Sequence, residues 1–91
     1  MADGLLYEYL LIYNDYDLSD WESVSEDLAL VLQKYEKEVP ADLDINIRDT
    51  GDRIRRHQVI LVSDEPVTQR FQNDLAKSVS GALYKYIKKG V

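Results

Sequence analysis

Residues 42–63 read DLDINIRDTGDRIRRHQVILVS. Leu43, Ile45 and Ile47 alternate with Asp42, Asp44, Asn46 and Arg48, the period-two pattern of a strand with one face covered and one face wet. Asp49-Thr50-Gly51-Asp52 supplies turn residues, and Gly51 is free to take a positive φ. A second strand runs over about 54–63 and ends in Val59-Ile60-Leu61-Val62, apolar on both faces. The alternating strand predicts a sheet edge and the apolar one a central position. A hairpin centred near Thr50–Gly51 would place Asn46 across from Arg55, and Asp44 across from His57 and beside Arg55, an ordinary opposite-charge sheet neighbour within the basic cluster Arg48, Arg53, Arg55 and Arg56.

Upstream, Leu5–Tyr13 is short and rich in Leu, Ile and Tyr, as a strand is. Its alternation puts Leu5, Tyr7, Tyr9, Leu11 and Tyr13 on one face and Leu6, Leu10 and Ile12 on the other. Ser19-Asp20-Trp21-Glu22 reads as a capping box, with Ser19 as N-cap and Glu22 reaching back. Trp21, Val24, Leu28, Val31, Leu32 and Tyr35 then recur at helical spacing, so a helix is expected over about 19–38, ended by Pro40. Downstream, Asp64 or Glu65 can cap a last helix with Pro66 in its first turn. Its stripe is Val67, Phe71, Leu75, Val79, Ala82, Leu83, Tyr86 and Ile87. Lys85, Lys88 and Lys89 favour its C-terminal end, and Gly90 can terminate it.

The order is β-α-β-β-α, which resembles a ferredoxin-like split β-α-β without its last strand. The expected fold is a two-layer α+β domain spanning residues 1–91, with two helices on one face of a three-stranded, mainly antiparallel sheet. The resemblance implies that the first and third strands lie side by side and the second is an edge. A missing fourth strand leaves the first strand uncovered, and an apolar edge must be covered or paired. A homodimer through that strand or the open sheet face is expected, with Tyr7, Tyr9, Leu11 and Tyr13 at the interface.

Charge is unevenly distributed along the chain. Residues 1–50 hold 13 acids and 3 bases, net −10, whereas residues 51–91 hold 4 acids and 8 bases, net +4. The first base is Lys34. Charge segregation governs partner choice and encounter rate, not fold. Asp15, Asp17, Asp20, Glu22, Glu26 and Asp27 fall in one loop and the first turns of the first helix, and Glu36 and Glu38 extend the negative surface. Spaced carboxylates on a rigid scaffold can imitate a row of phosphates and attract a protein that binds nucleic acid by charge. These eight acids are the expected partner-binding residues, and the partner expected is a basic, nucleic-acid-binding protein. A solvated helix face, favoured by the macrodipole, explains the same acids without a partner. A structural subunit that assembles head to tail, acidic half to basic half, is the alternative.

Other chemistries find little support. With no Cys there is no disulfide, thiolate nucleophile or Cys-based metal site. Asp15-x-Asp17-x-Ser19 with Glu26 matches part of a calcium loop, but Asp20 stands where the sharp turn requires Gly, and a strand precedes it. No metal or cofactor is expected. His57 is the sole His, no Ser sits in a nucleophile elbow, and there is no phosphate-binding Gly loop. The net charge of −6 argues against direct contact with nucleic acid. No basic n-region precedes the short apolar run, which Glu8 interrupts, so neither a secretory signal nor a membrane span is expected. A non-enzymatic cytoplasmic protein is the resulting expectation.

Overall fold

In the computed structural model, the residues described are 6–39, 41–51, 53 and 56–88. The elements are β1 (Tyr7–Asn14), α1 (Trp21–Glu36), β2 (Leu43–Asp49), β3 (His57–Ser63) and α2 (Gln69–Leu83), followed by a 3₁₀ turn at Tyr84–Tyr86. The sheet order is β1-β3-β2 with both pairings antiparallel, an α+β arrangement consistent with a truncated ferredoxin-like fold. The apolar β3 is central and the alternating β2 is an edge, as their patterns require. No helix among the described residues is long and apolar enough to cross a membrane.

The core lies between the sheet and the two helices. His57, Val59, Leu61 and Ser63 of β3 alternate inward and are all buried. Val59 and Leu61 form one cluster with Val24, Leu28 and Leu32 of α1 and Phe71, Leu75, Val79 and Leu83 of α2, the helical stripes read from spacing. Trp21 does not belong to that stripe. It is the first residue of α1 and is 48% exposed, so the apolar face begins one turn later at Val24.

A bulge changes the faces of β1. Leu10 stands opposite Ile60 and Ile12 opposite Val59, so Leu11 is the extra residue. Tyr7 and Tyr9 therefore share the helix-covered face with Ile12, whereas Tyr13, opposite Gln58, lies on the uncovered face. The expected single face of Tyr7, Tyr9, Leu11 and Tyr13 does not exist, because simple alternation cannot anticipate an inserted residue. Leu5, placed on that same face, lies outside the described residues.

The hairpin register also differs from expectation. Asp44 faces Val62 and Asn46 faces Ile60, while His57 faces Asp49. A seven-residue connection, 50–56, replaces the tight turn centred on Thr50–Gly51. The loop is closed by Thr50 N–H to the Arg56 carbonyl at 2.7 Å, and Gly51 takes φ +82°. Arg55, the expected neighbour of Asn46, lies outside the described residues.

The helix caps fall later than the capping signals suggested. Asp20, not Ser19, caps α1, accepting from Ser23 N–H at 3.3 Å, and α1 ends at Glu36. Thr68 caps α2, accepting from Phe71 N–H at 3.1 Å, which leaves Asp64, Glu65 and Pro66 in the preceding loop. Asp64 instead accepts from Asp42 N–H at 2.9 Å. Tyr86 and Ile87 lie beyond α2, and Pro40, Lys89 and Gly90 lie outside the described residues.

Candidate functional site

The acidic loop is built by its own side chains. Asp17 Oδ1 accepts from Ser19 N–H at 3.0 Å, an Asx turn that aims the chain into α1. Hydrogen bonding from Ser19, and to a lesser extent the charge of Lys88, holds the Asp17 carboxyl below its ordinary value. Asp20 caps α1 through Oδ1 and also accepts from Ser23 Oγ through Oδ2 at 2.8 Å. Glu22 and Glu26 stand one helical turn apart, roughly 6 Å along the axis. All four residues are exposed. The Asx turn and the cap occupy the segment that a calcium loop would need. Among the described residues, no three His, Cys, Asp or Glu come together as a metal site.

The remaining expected acids divide in other ways. Asp15 is half-buried, and its Oδ1 is shut from water without a hydrogen-bond partner. Asp27 turns inward, accepting from the Tyr86 hydroxyl at 2.6 Å and pairing with Lys85 Nζ at 3.1 Å. The Tyr86 hydrogen bond first, and Lys85 second, lower the Asp27 pKa. Asp27 thus joins α1 to the chain beyond α2 and is not part of an outward acidic surface. Its place was legible: 27 lies three residues after Val24 and four before Val31, on the margin of the apolar stripe. Glu36 and Glu38 are exposed but lie roughly 15 Å or more from Glu26 along α1, beside Lys34 and Lys37.

No protein-family model, curated protein or solved structure matches this chain. What the surface does must follow from its charge and geometry.

Arg48 and Arg56, two of the arginines grouped around the hairpin, are held by different acids. Arg48 crosses the uncovered sheet face to Glu8 at 2.7 Å, and Arg56 Nε holds Asp49 at 3.3 Å within the hairpin loop. Among the described residues these two pairs and Lys85–Asp27 are the ion pairs. Asp17, Asp20, Glu22 and Glu26 therefore form no ion pair among the described residues, and Lys88 acts on Asp17 only weakly and from a distance. His57, read from the sequence as a cross-strand neighbour of Asp44, is instead buried at 8% exposure, and its ring lies 6.3 Å from that of Tyr16, which is 2% exposed.

Proposed function

We propose that this chain is a non-enzymatic binding protein whose acids Asp17, Asp20, Glu22 and Glu26, with Asp15 at their margin, engage a basic partner. The partner class is a nucleic-acid-binding protein, and the acids occupy its phosphate-binding surface by imitating the polymer's charge. One observation carries this reading: four exposed carboxylates lie within ten residues, none forms a salt bridge among the described residues, and Lys88 acts on Asp17 only as a minor influence. An unneutralised cluster attracts a cationic surface, and the attraction weakens as salt shortens the Debye length. Glu36 and Glu38 add to the long-range field only. The cytoplasmic assignment belongs to the same proposal and rests on a Cys-free, acidic composition.

The test is capture by the immobilised full chain from a lysate of its source cells, with stepwise salt elution. The expected result is a DNA-binding protein that added duplex DNA displaces and that is lost with D17N/D20N/E22Q/E26Q. Asn retains both the Asx turn and the N-cap, so the variant changes charge and not fold. Unchanged capture by the variant, or capture insensitive to DNA, would sink the reading. Recovery only of further copies of the chain would also overturn it and favour head-to-tail assembly.

A further inference from the structure

The two sheet edges differ. β2 carries Asp44, Arg48 and Asp49, charges of the kind that blunt an edge. β1 reads YEYLLIYN, and its single charge, Glu8, is held by Arg48 at 2.7 Å. Of the seven large apolar residues exposed among those described, Leu6, Tyr7, Leu10 and Tyr13 lie on or beside this strand.

The outer side of this edge already accepts an antiparallel chain just beyond β1. Tyr16 N–H points to His57 on the β3 side. The groups that alternate with it point the other way: Asp17 N–H donates to the Tyr86 carbonyl at 2.7 Å, and Lys88 N–H to the Asp15 carbonyl at 2.8 Å. Tyr16 and Ile87 thus form an antiparallel bridge on the outer side. Along Tyr7–Asn14 no described residue continues that pairing.

We infer that β1 is a strand-addition edge and that its occupant is β1 of a second copy, in antiparallel register about a two-fold axis between Leu10 and Leu11. The strand is complementary to itself in this register. It sets Tyr7 beside Asn14, Glu8 beside Tyr13, Tyr9 beside Ile12 and Leu10 beside Leu11 of the second copy. The bulge at the strand's midpoint makes the faces agree at the three flanking pairs, while at the axis Leu10 lies on the uncovered face and Leu11 packs against the core. Tyr9 and Ile12 both face the helices, and Glu8 and Tyr13 both face away from them. An unbulged strand in this register would pair inward residues with outward ones. Aromatic against β-branched, as in Tyr9 with Ile12, is a favourable cross-strand pair.

Charge selects the antiparallel sense. The acidic loop follows the C-terminal end of β1, an eight-residue strand roughly 27 Å long. Antiparallel pairing puts the two acidic loops at opposite ends of the joined sheet, farther apart than the ~10 Å Debye length. Parallel pairing would set them side by side. The dimer uses none of the acids assigned to the basic partner, so either assignment can fail without the other.

The test is light scattering and sedimentation of the full chain over a concentration series, at low and high salt. The expected mass is twice 10.5 kDa, persisting as salt rises. Leu10→Lys, which places two cations at the axis, is expected to halve the mass with circular dichroism unchanged. Amide exchange of the wild type, read against dilution, gives a result even if that variant misfolds: the outward-pointing amides of Tyr7–Ile12 should lose protection on dilution, while those bonded to β3 do not. A monomer at every concentration would overturn the inference, leaving the bulge as a guard of the edge. A dimer that dissolves with salt, survives Leu10→Lys or leaves β1 unprotected would overturn it equally.

Discussion

The Tyr16 backbone N–H donates to Nδ1 of His57 at 3.1 Å, joining positions 41 residues apart. An accepting Nδ1 places the ring proton on Nε2 in this arrangement. His57→Leu would leave a buried amide without a partner, at a cost of about 1–3 kcal/mol. Asn can put Oδ1 near the position of Nδ1, so His57→Asn should recover part of that loss. Urea denaturation of both variants checks this; equal losses would mean that the amide is not the source.

The same contact shows where sequence reasoning stops. Periodicity exposed both helical stripes, the apolar β3 and the alternating β2, because burial imposes period 3.6 or period 2 directly on residue choice. His57 gave no such signal, since its partner is a backbone amide and any residue type could supply one. The bulge at Leu11 was hidden because Leu10, Leu11 and Ile12 are all apolar. The hairpin register failed because Asp49, Thr50 and Gly51 suit a tight turn and a seven-residue loop equally. On the acidic surface, composition located the loop. It could not separate Asp27, which pairs internally, from Glu22 and Glu26, which do not.

Cap positions give a sharper check, because several capable residues stand close together. Asp20→Ala and Thr68→Ala should each cost about 1 kcal/mol, typical of a lost N-cap. Ser19→Ala should cost less, since its side chain bonds the exposed Asp17 carboxylate and caps no helix. Thermal melts of the three variants rank them. A loss for Ser19→Ala as large as that for Asp20→Ala would restore the capping box.

The Asp27 cluster should make stability fall at both ends of the pH scale. Its carboxyl is held below the ordinary 3.8 by the Tyr86 hydroxyl first and Lys85 second. That contribution is present above the ordinary value and is lost as pH falls through the lower folded value. The hydrogen bond to Asp27 is the chief cause raising both Lys85 above 10.5 and Tyr86 above 10.0. Their contributions are full below those values and are lost as pH rises through the raised ones. Asp27→Asn should flatten both limbs of a plot of urea midpoint against pH. Some acid slope should persist, because Asp17 is lowered by Ser19 and Asp49 by the Gly51 amide. Limbs as steep as in the wild type would remove Asp27 as their cause.

Gly51 tests the hairpin loop by backbone conformation alone. A Cβ there meets nothing within 4 Å, but φ is +82°. Gly51→Ala should therefore cost about 1–2 kcal/mol from left-handed strain. Gly51→Asn should cost less, since Asn tolerates that region better. Equal losses in denaturant midpoint would point to a side-chain effect of the loop instead.

The two helices are fastened to each other at one polar point. The Tyr35 hydroxyl on α1 shares a hydrogen bond with Ser78 Oγ at 2.6 Å and reaches the Asp74 carbonyl at 3.3 Å, both on α2. Below it, the Tyr35 ring meets Phe71 edge to face, with centroids 5.7 Å apart and planes at 82°. Tyr35→Phe keeps the ring contact and removes the hydroxyl, so a loss of about 0.5–1.5 kcal/mol is expected. Tyr35→Ala also removes the aromatic pair, which adds about 0.5–1.5 kcal/mol beyond the area it exposes. If Tyr35 and Ser78 act as one unit, Tyr35→Phe/Ser78→Ala should cost less than the two single changes added together. Strict additivity in that cycle would show that the hydroxyl bonds chiefly to Asp74 and that Ser78 is a bystander.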